Sequence, residues 1–484
     1  MRKASDGGRP SVISSLGDML RDSVEGTGEA LTRAFSDPSL RLGVTGLSRA
    51  GKTVFITSLV ANLMERGRMA AFSPEREGRI EAAYLQPQPD DTVARFDYES
   101  HLAAMTGPQA HWPIGTRSVS QLRLSLRVTP KSRLARLTGP RRLHLDITDY
   151  PGEWLLDLGL LTQSYAQWSK ASLAQISAKA QSLAEARDFL AMATEAVAET
   201  RHDEMQASAL AQSFTAYLHA ARAAGFSQLT PGRFILPGEL QGSPALTFCP
   251  LPIEALRRGT IAREAARRFE AYKSQIVRPF FRAHFARIDR QVVLVDLLSA
   301  MQGGPEVLED LRQAMAGILS VFRHGANGPL AALLGQKTDR ILFAATKADY
   351  LHQSQHQAYA NLLEALVQEA KQRADYRGAK TRAMAIAGLR STVEERRVLD
   401  GAEVDLVRGR VGQSNQMRAL YAGHLPDHPD HILAPAREGA RDWSDHEFAV
   451  TDFAPPISSL RAGLGPPHIR LDTAAEFLLA DRMG

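Results

Sequence analysis

Apolar residues recur along the 484-residue chain at two periods, and the order of those periods outlines a fold. Leu40, Leu42 and Val44 alternate with Arg41, Gly43 and Thr45, which predicts a strand ending at Gly46. Val54 to Arg66 then runs apolar-rich and proline-free, as a helix would. Alternation returns at 118–129 (SVSQLRLSLRVT) and at 141–149, two segments that predict an antiparallel hairpin. Further strands are expected at 291–298, 340–345 and 382–387, with helices near 305–322 and 354–374. Strands alternating with helices argue for an α/β fold built on a doubly wound, mostly parallel sheet. VLDGAEVDLVRGR (398–410) reads as a further hairpin around Asp400 and Gly401.

One long stretch breaks the alternation. Gln163 to Ala224 holds no glycine or proline and spaces Leu173, Ile176, Leu183, Phe189, Leu190, Ala193 and Val197 at helical intervals, so it predicts a helical hairpin inserted in the sheet domain. Those apolar rows either bury against one another or form a lever or docking surface for a protein effector. Ile13, Leu16, Leu20 and Val24 share one face of a predicted N-terminal helix. The expected organisation is an amphipathic segment over 1–36, a first part of the sheet domain over 37–162, a mainly helical insertion over 163–285, a second part over 286–395, and a hairpin with a packed tail over 396–484.

Composition changes this picture little. A hydrophobic content of 44% supports a packed core, and 58 basic against 53 acidic residues give a net charge of only +5, which does not make the chain a nucleic-acid binder. One cysteine, Cys249, excludes an internal disulfide and fits a reducing compartment. No apolar run approaches the ~18 residues of a membrane span and MRKASDGGRP leads into no signal-like segment, so a cytoplasmic protein is expected, with a peripheral place at the inner membrane left open. Arg127, Lys131, Arg133, Arg136, Arg141 and Arg142 crowd the predicted hairpin tip, which is either a solvated turn or a site for an anionic partner, RNA or phospholipid. His424, His428, His431 and His446 lack zinc spacing, so no metal beyond magnesium is assigned.

The chemistry concentrates in three motifs that follow strands. GLSRAGKT (46–53) fits the phosphate-binding pattern G-x-x-x-x-G-K-[ST]. Gly46 and Gly51 let the backbone turn tightly, Ser48, Arg49, Ala50 and Val54 bring N–H groups toward phosphates, Lys52 adds a charge, and the Thr53 hydroxyl can ligate Mg2+. LHLDITDYPG (143–152) ends a strand with D-x-x-G: Asp149 can hold magnesium, and Gly152 can offer its N–H to a γ-phosphate. A second D-x-x-G at Asp375 to Gly378 lies in a charged connection and is set aside. In RILFAATKADYL (340–351), Thr346, Lys347 and Asp349 follow the T-K-x-D pattern, in which a carboxylate accepts from guanine N1–H and the 2-amino group while the lysine stem packs along the base. Asp349 could otherwise be a helix cap. Ala387, after the last predicted strand, would contact the base through its backbone. The magnesium-binding hydroxyl before the hairpin is Thr116 or Ser118.

Together GLSRAGKT, LDITDYPGEW, VVLVDLL and FAATKAD, with the closing GPPHIRLDTAAEFLLADRMG, resemble the YcjX family of bacterial P-loop GTPase-like proteins, domain of unknown function 463. The resemblance runs from about residue 10 to the end. It implies a Ras-like nucleotide domain with a helical insertion, GTP or GDP with magnesium as ligands, Thr116 as the switch hydroxyl, and an association with stress responses. Ras-like enzymes usually place glutamine after D-x-x-G to orient water; here stands Glu153, whose carboxylate would face like charge on a polyphosphate. A slow GTPase is expected, completed by a charge donor such as Arg49 or a partner's arginine. An ATP-using enzyme and a nucleotide-bound scaffold with little hydrolysis are the alternatives.

Overall fold

A computed structural model of the chain describes residues 37–484 apart from 48, 116, 133–135, 138, 199–200, 253–255, 321–337, 377, 400, 413–415, 444–447 and 458–459. The expected N-terminal helix lies outside the described residues. Eight strands form the main sheet: β1 (Ser39–Gly46), β2 (Ile80–Gln86), β3 (Ala94–Arg95), β4 (Ser120–Val128), β5 (Arg141–Asp149), β6 (Arg290–Val295), β7 (Arg340–Ala345) and β8 (Lys380–Ala385). Their order is β2-β4-β5-β1-β6-β7-β8, with β3 beside β4. The run from β5 to β8 is parallel, β4 is antiparallel to both β5 and β2, and the short β3 is parallel to β4.

Side-chain alternation sorts the strands onto two cores. Leu40, Leu42, Val44, Leu145, Ile147 and Leu294 pack on one face with helix α1 (Lys52–Glu65). Val293, Val295, Ile341, Phe343 and Ala345 pack on the other with the helical insertion. Central strands covered on both faces therefore read as near-continuous apolar runs, as parallel sheets require. β2 is an edge strand that the apolar pattern does not announce, since IEAAYLQ is mostly half-buried. The strand expected over 291–298 stops at Val295, because Asp296 caps a short helix, Leu297–Gln302, by accepting from Ser299 N at 3.2 Å.

Between β5 and β6 the chain forms α2 (Tyr165–Lys179), α3 (Ala184–Ala198), α4 (Glu204–Ala223) and α5 (Ile261–Tyr272), followed after β6 by α6 (Pro305–Ser320), α7 (His356–Leu366) and, at the end, α8 (Leu471–Leu479). The expected two-armed helical hairpin is thus three consecutive helices. Ser164 and Gln167 form a capping box that opens α2, and Asp203, accepting from Gln206 N, sets the break before α4 without glycine or proline. Aromatic packing holds the bundle, with Trp168 stacked on Phe269 at 4.9 Å. Asp310 of α6 ties it to the sheet domain, pairing with Lys179 at 3.5 Å and accepting from Ser227 N and Gln228 N.

The C-terminal signature is a structural clasp. Asn62 of α1 donates to Pro466 O at 3.1 Å, Gly67 N donates to Gly463 O at 3.0 Å, and α8 buries Leu471, Ala474, Ala475, Leu478 and Leu479 in the α1 core. Fully buried Arg290 pairs with Asp481 at 2.9 Å and Asp339 at 2.6 Å. β9 (Thr392–Leu399), β10 (Ala402–Arg410) and β11 (Met417–Leu420) make a separate antiparallel sheet whose first hairpin turns at Gly401, φ 83°. Asp400 lies outside the described residues. At the basic tip the chain supplies its own counter-ions: Arg127 pairs with Glu81 at 3.0 Å, Lys131 with Glu77 at 3.6 Å and Arg142 with Asp37 at 3.1 Å. Among the described residues no helix is long and apolar enough to cross a membrane.

Candidate functional site

Gly46 closes β1 and Lys52 opens α1, leaving residues 47–51 to make the loop. The backbone turns left-handed at Arg49 (φ 61°) and Gly51 (φ 79°). Glycine adopts that region freely, whereas it costs an arginine on the order of 1 kcal/mol. Close approach fixes two other glycines: a Cβ on Gly46 would come within 2.7 Å of Leu294 O, and one on Gly152 within 2.4 Å of Gly46 O. The exit from β5 therefore lies directly against the loop. Lys52 is buried and its Nζ donates to Gly46 O at 2.7 Å, which holds the ammonium across the loop. α1 has no acidic residue in its first turn and no side-chain cap, so nothing within the helix itself offsets its positive end.

A second group gathers at the ends of β6, β7 and β8. Asp349 is buried, and its Oδ2 accepts from Ser391 N at 2.8 Å and Ser391 Oγ at 2.6 Å. Burial pushes this carboxyl's pKa up, against the lowering effect of the two Ser391 bonds. Lys347 sits in the left-handed region at φ 59° and donates to Asp296 Oδ2 at 2.6 Å and Ser299 Oγ at 3.3 Å. Thr346 bonds Val295 O through both N and Oγ1, so it fastens the ends of β6 and β7 together. Ala387 N donates to Ile469 O at 3.1 Å, so the amide expected to meet a base is engaged by the C-terminal tail.

These groups enclose one cavity of about 730 Å³, within the range of small-molecule sites. Arg49, Ala50, Gly51, Lys52, Thr53 and Val54 line it, as do Glu153, Thr346, Lys347, Asp349 and Ala387. Gly46, Asp149 and Gly152 do not line it; Asp149 is only 2% exposed. Ser48 and Thr116 lie outside the described residues, although Gly115 and Arg117 are on the wall; Ser118, the alternative hydroxyl, is exposed and not on it.

Several wall residues escape a motif reading: Trp112, His219, Arg222 and Asp296 line the cavity, and Ser391 orients Asp349 from behind. Asp296 had a local signal, an acid directly after the apolar run VVLV. Arg222 and Ser391 had none, since neither belongs to a spaced pattern and both arrive through tertiary packing.

Both approaches to the cavity are tethered. Trp112 Nε1 donates to Phe453 O at 2.6 Å, and Arg410 donates to Ala110 O and Pro455 O, which binds residues 110–112 to the β9–β11 region. On the opposite side Glu153 is 4% exposed, and its Oε1 accepts from Arg222 of α4 at 3.0 Å while Oε2 has no hydrogen-bond partner. The charge beside Glu153 thus comes from the chain's own insertion. Trp154 donates to Leu236 O at 2.9 Å and lies under the Arg233 guanidinium, 3.2 Å from the ring centroid. Asp157 accepts from Gly232 N at 2.7 Å and from the Tyr272 hydroxyl, and burial pushes its pKa up to about 7 despite both bonds. A Cβ on Gly232 would meet Glu153 O at 2.2 Å. Residues 153–157 are accordingly clamped to the insertion.

The sequence profile of the YcjX-like family, DUF463, matches residues 40–483. A protein named Ras-like GTPase YcjX from Escherichia coli K12 is 35% identical over 475 residues, covering 94% of this chain and 98% of that one. Its namesake from Shewanella oneidensis MR-1 is 33% identical over 490 residues, covering 94% and 97%.

Proposed function

The chain belongs to the YcjX-like family of GTPase-type P-loop proteins, and from that premise we propose that it is a guanine-nucleotide switch that binds GTP and GDP and hydrolyses GTP slowly. The observation that carries the proposal is that Lys52 and Asp349, far apart in sequence, line one cavity, one at a helix N-terminus with no acid in its first turn and the other as a buried acceptor. In this reading the loop amides and Lys52 receive the β- and γ-phosphates, and Asp349 selects guanine because adenine offers no matching pair of donors. Ser391 orients that carboxylate, and Asp296 positions the Lys347 stem.

Thr53 on the cavity wall offers a hard oxygen of the kind magnesium prefers, and Asp149, behind the wall in this structure, would have to turn toward it, with Thr116 as the third donor. Held there, magnesium would supply positive charge to offset the negative charge of the phosphates. Gly152 would donate its N–H to the γ-phosphate, and Glu153 would meet the attacking water. Slow turnover follows from Glu153, whose carboxylate stands where a neutral amide would orient water without repelling the phosphate. Since Gly152 abuts the loop and 153–157 are clamped to the insertion, nucleotide state would pass to the helices, which we read as the effector module.

Thermal unfolding with ligand tests the assignment, because a ligand held only by the folded state raises stability by mass action. Mg2+ with GDP is expected to raise the unfolding temperature, ADP at equal concentration to leave it unchanged, and Lys52→Ala to abolish the GDP effect. A larger shift with ADP would favour an ATP-using enzyme. GTP kept intact through long incubation would favour a scaffold.

A further inference from the structure

Arg222 belongs to no motif, yet it occupies the cavity wall beside the residue that follows D-x-x-G. It lies in the last turn of α4, and with His219 and Ala223 it faces the same cavity as Lys52 and Thr53. Its guanidinium reaches Glu153 through one NH2 contact at 3.0 Å, with 28% of its side chain exposed. Here Glu153 is nearly buried and its Oε2 is left without a hydrogen bond, an unfavourable arrangement for a carboxylate. The pair thus places a guanidinium on the cavity wall beside a nearly buried carboxylate.

We propose that Arg222 is the cationic group that stabilises the phosphates during GTP hydrolysis, supplied by the chain's own helical insertion and held at the cavity wall by Glu153. The proposal rests on the guanine-nucleotide reading above and extends it to the source of the missing charge. A polyphosphate entering this cavity carries more negative charge than one carboxylate, so it competes for the guanidinium and repels Glu153. Exchange of partners would move the insertion and residues 153–157 together, because Glu153 O also lies against Gly232. In the chemical step the water oxygen forms a bond to the γ-phosphorus as the bond to the β–γ bridging oxygen breaks. The released electron pair stays on the β-phosphate of GDP, one water proton remains on the liberated phosphate and the other passes to solvent. Arg222 forms no covalent bond; it donates N–H groups to the oxygens that gain charge. Arg49, the other cation named from the sequence, sits on the loop itself, and no described hydrogen bond or ion pair links it to the segment that would respond to the γ-phosphate.

Single-turnover GTP hydrolysis with Mg2+ by the full chain tests this, alongside GDP affinity and binding of GDP with aluminium fluoride. Arg222→Ala is expected to slow hydrolysis about a thousandfold or more, to keep GDP affinity within about threefold, and to lose the fluoride complex; added guanidinium ion should restore part of the rate. Arg222→Lys keeps a charge opposite Glu153 and guards against a folding defect; it should fold and hydrolyse at least about tenfold slower than the native chain. Native-like turnover in either variant, or loss of GDP binding together with hydrolysis in both, overturns the assignment of Arg222 alone. A native chain without affinity for GDP overturns the guanine-nucleotide reading and this one with it.

Discussion

Asp157 shows at the level of one residue how burial and pH meet in the clamp beside the cavity. Its ordinary value of 3.8 rises to about 7, first because the carboxyl is desolvated. A carboxyl with a higher pKa folded than unfolded binds its proton more tightly in the folded state, so its contribution to stability is complete below about pH 4 and is lost as pH rises through about 7. Asp157→Asn mimics the neutral acid: its oxygen can still accept from Gly232 N and its amide can donate to the Tyr272 oxygen. Urea unfolding of the variant should therefore show a flatter pH profile between pH 4 and 7 and a higher midpoint than the native chain at pH 8. Parallel profiles for the two proteins would refute the role given to burial. Residue-level legibility was uneven for a related reason. Lys52, Thr53 and Asp349, which line the cavity, stand in locally spaced motifs after a strand, whereas Asp157, Arg222 and Ser391 acquire their partners from helices and loops distant in sequence.

Among the elements, strands announced themselves where one face met a core, as Leu40, Leu42 and Val44 do, and failed to where little was buried, as along β2. Helical spacing gave the content of the insertion but not its breaks, one of which is set by a cap at Asp203 rather than by a residue that forbids helix. The tail offered a signature without a reason, and packing provides one: α8 completes the apolar face of α1, the helix that presents the phosphate loop. Leu478 is fully buried there. Leu478→Ala should lower unfolding free energy by about 2–5 kcal/mol, measured by urea titration, as for other buried leucines. A loss below about 0.5 kcal/mol, the range of surface changes, would mean that the tail is not part of that core.

For the whole molecule, the doubly wound topology brings the carboxyl ends of β1, β6, β7 and β8 to one end of the sheet, the usual position for a ligand in such folds. Two satellites then grip opposite sides of the cavity: the β9–β11 region holds residues 110–112 through Trp112 and Arg410, and the insertion holds 153–157 through Arg222, Gly232 and Tyr272. Nothing in the order of motifs foretold the first of these grips, because Phe453 and Pro455 sit in a stretch with no periodic pattern. The account as a whole depends on the assembled cavity being selective for guanine through Asp349. Competition binding of GDP, ADP and xanthosine diphosphate to the native chain and to Asp349→Asn measures this directly. An asparagine can keep its oxygen toward Ser391 N and the base N1–H while turning its amide donor to the 2-position, where guanine also donates but xanthine accepts. The native chain should prefer GDP over both rivals, and the variant should prefer xanthosine diphosphate over GDP by about tenfold or more, the equivalent of one exchanged hydrogen bond; an unchanged GDP preference in Asp349→Asn would contradict the central claim.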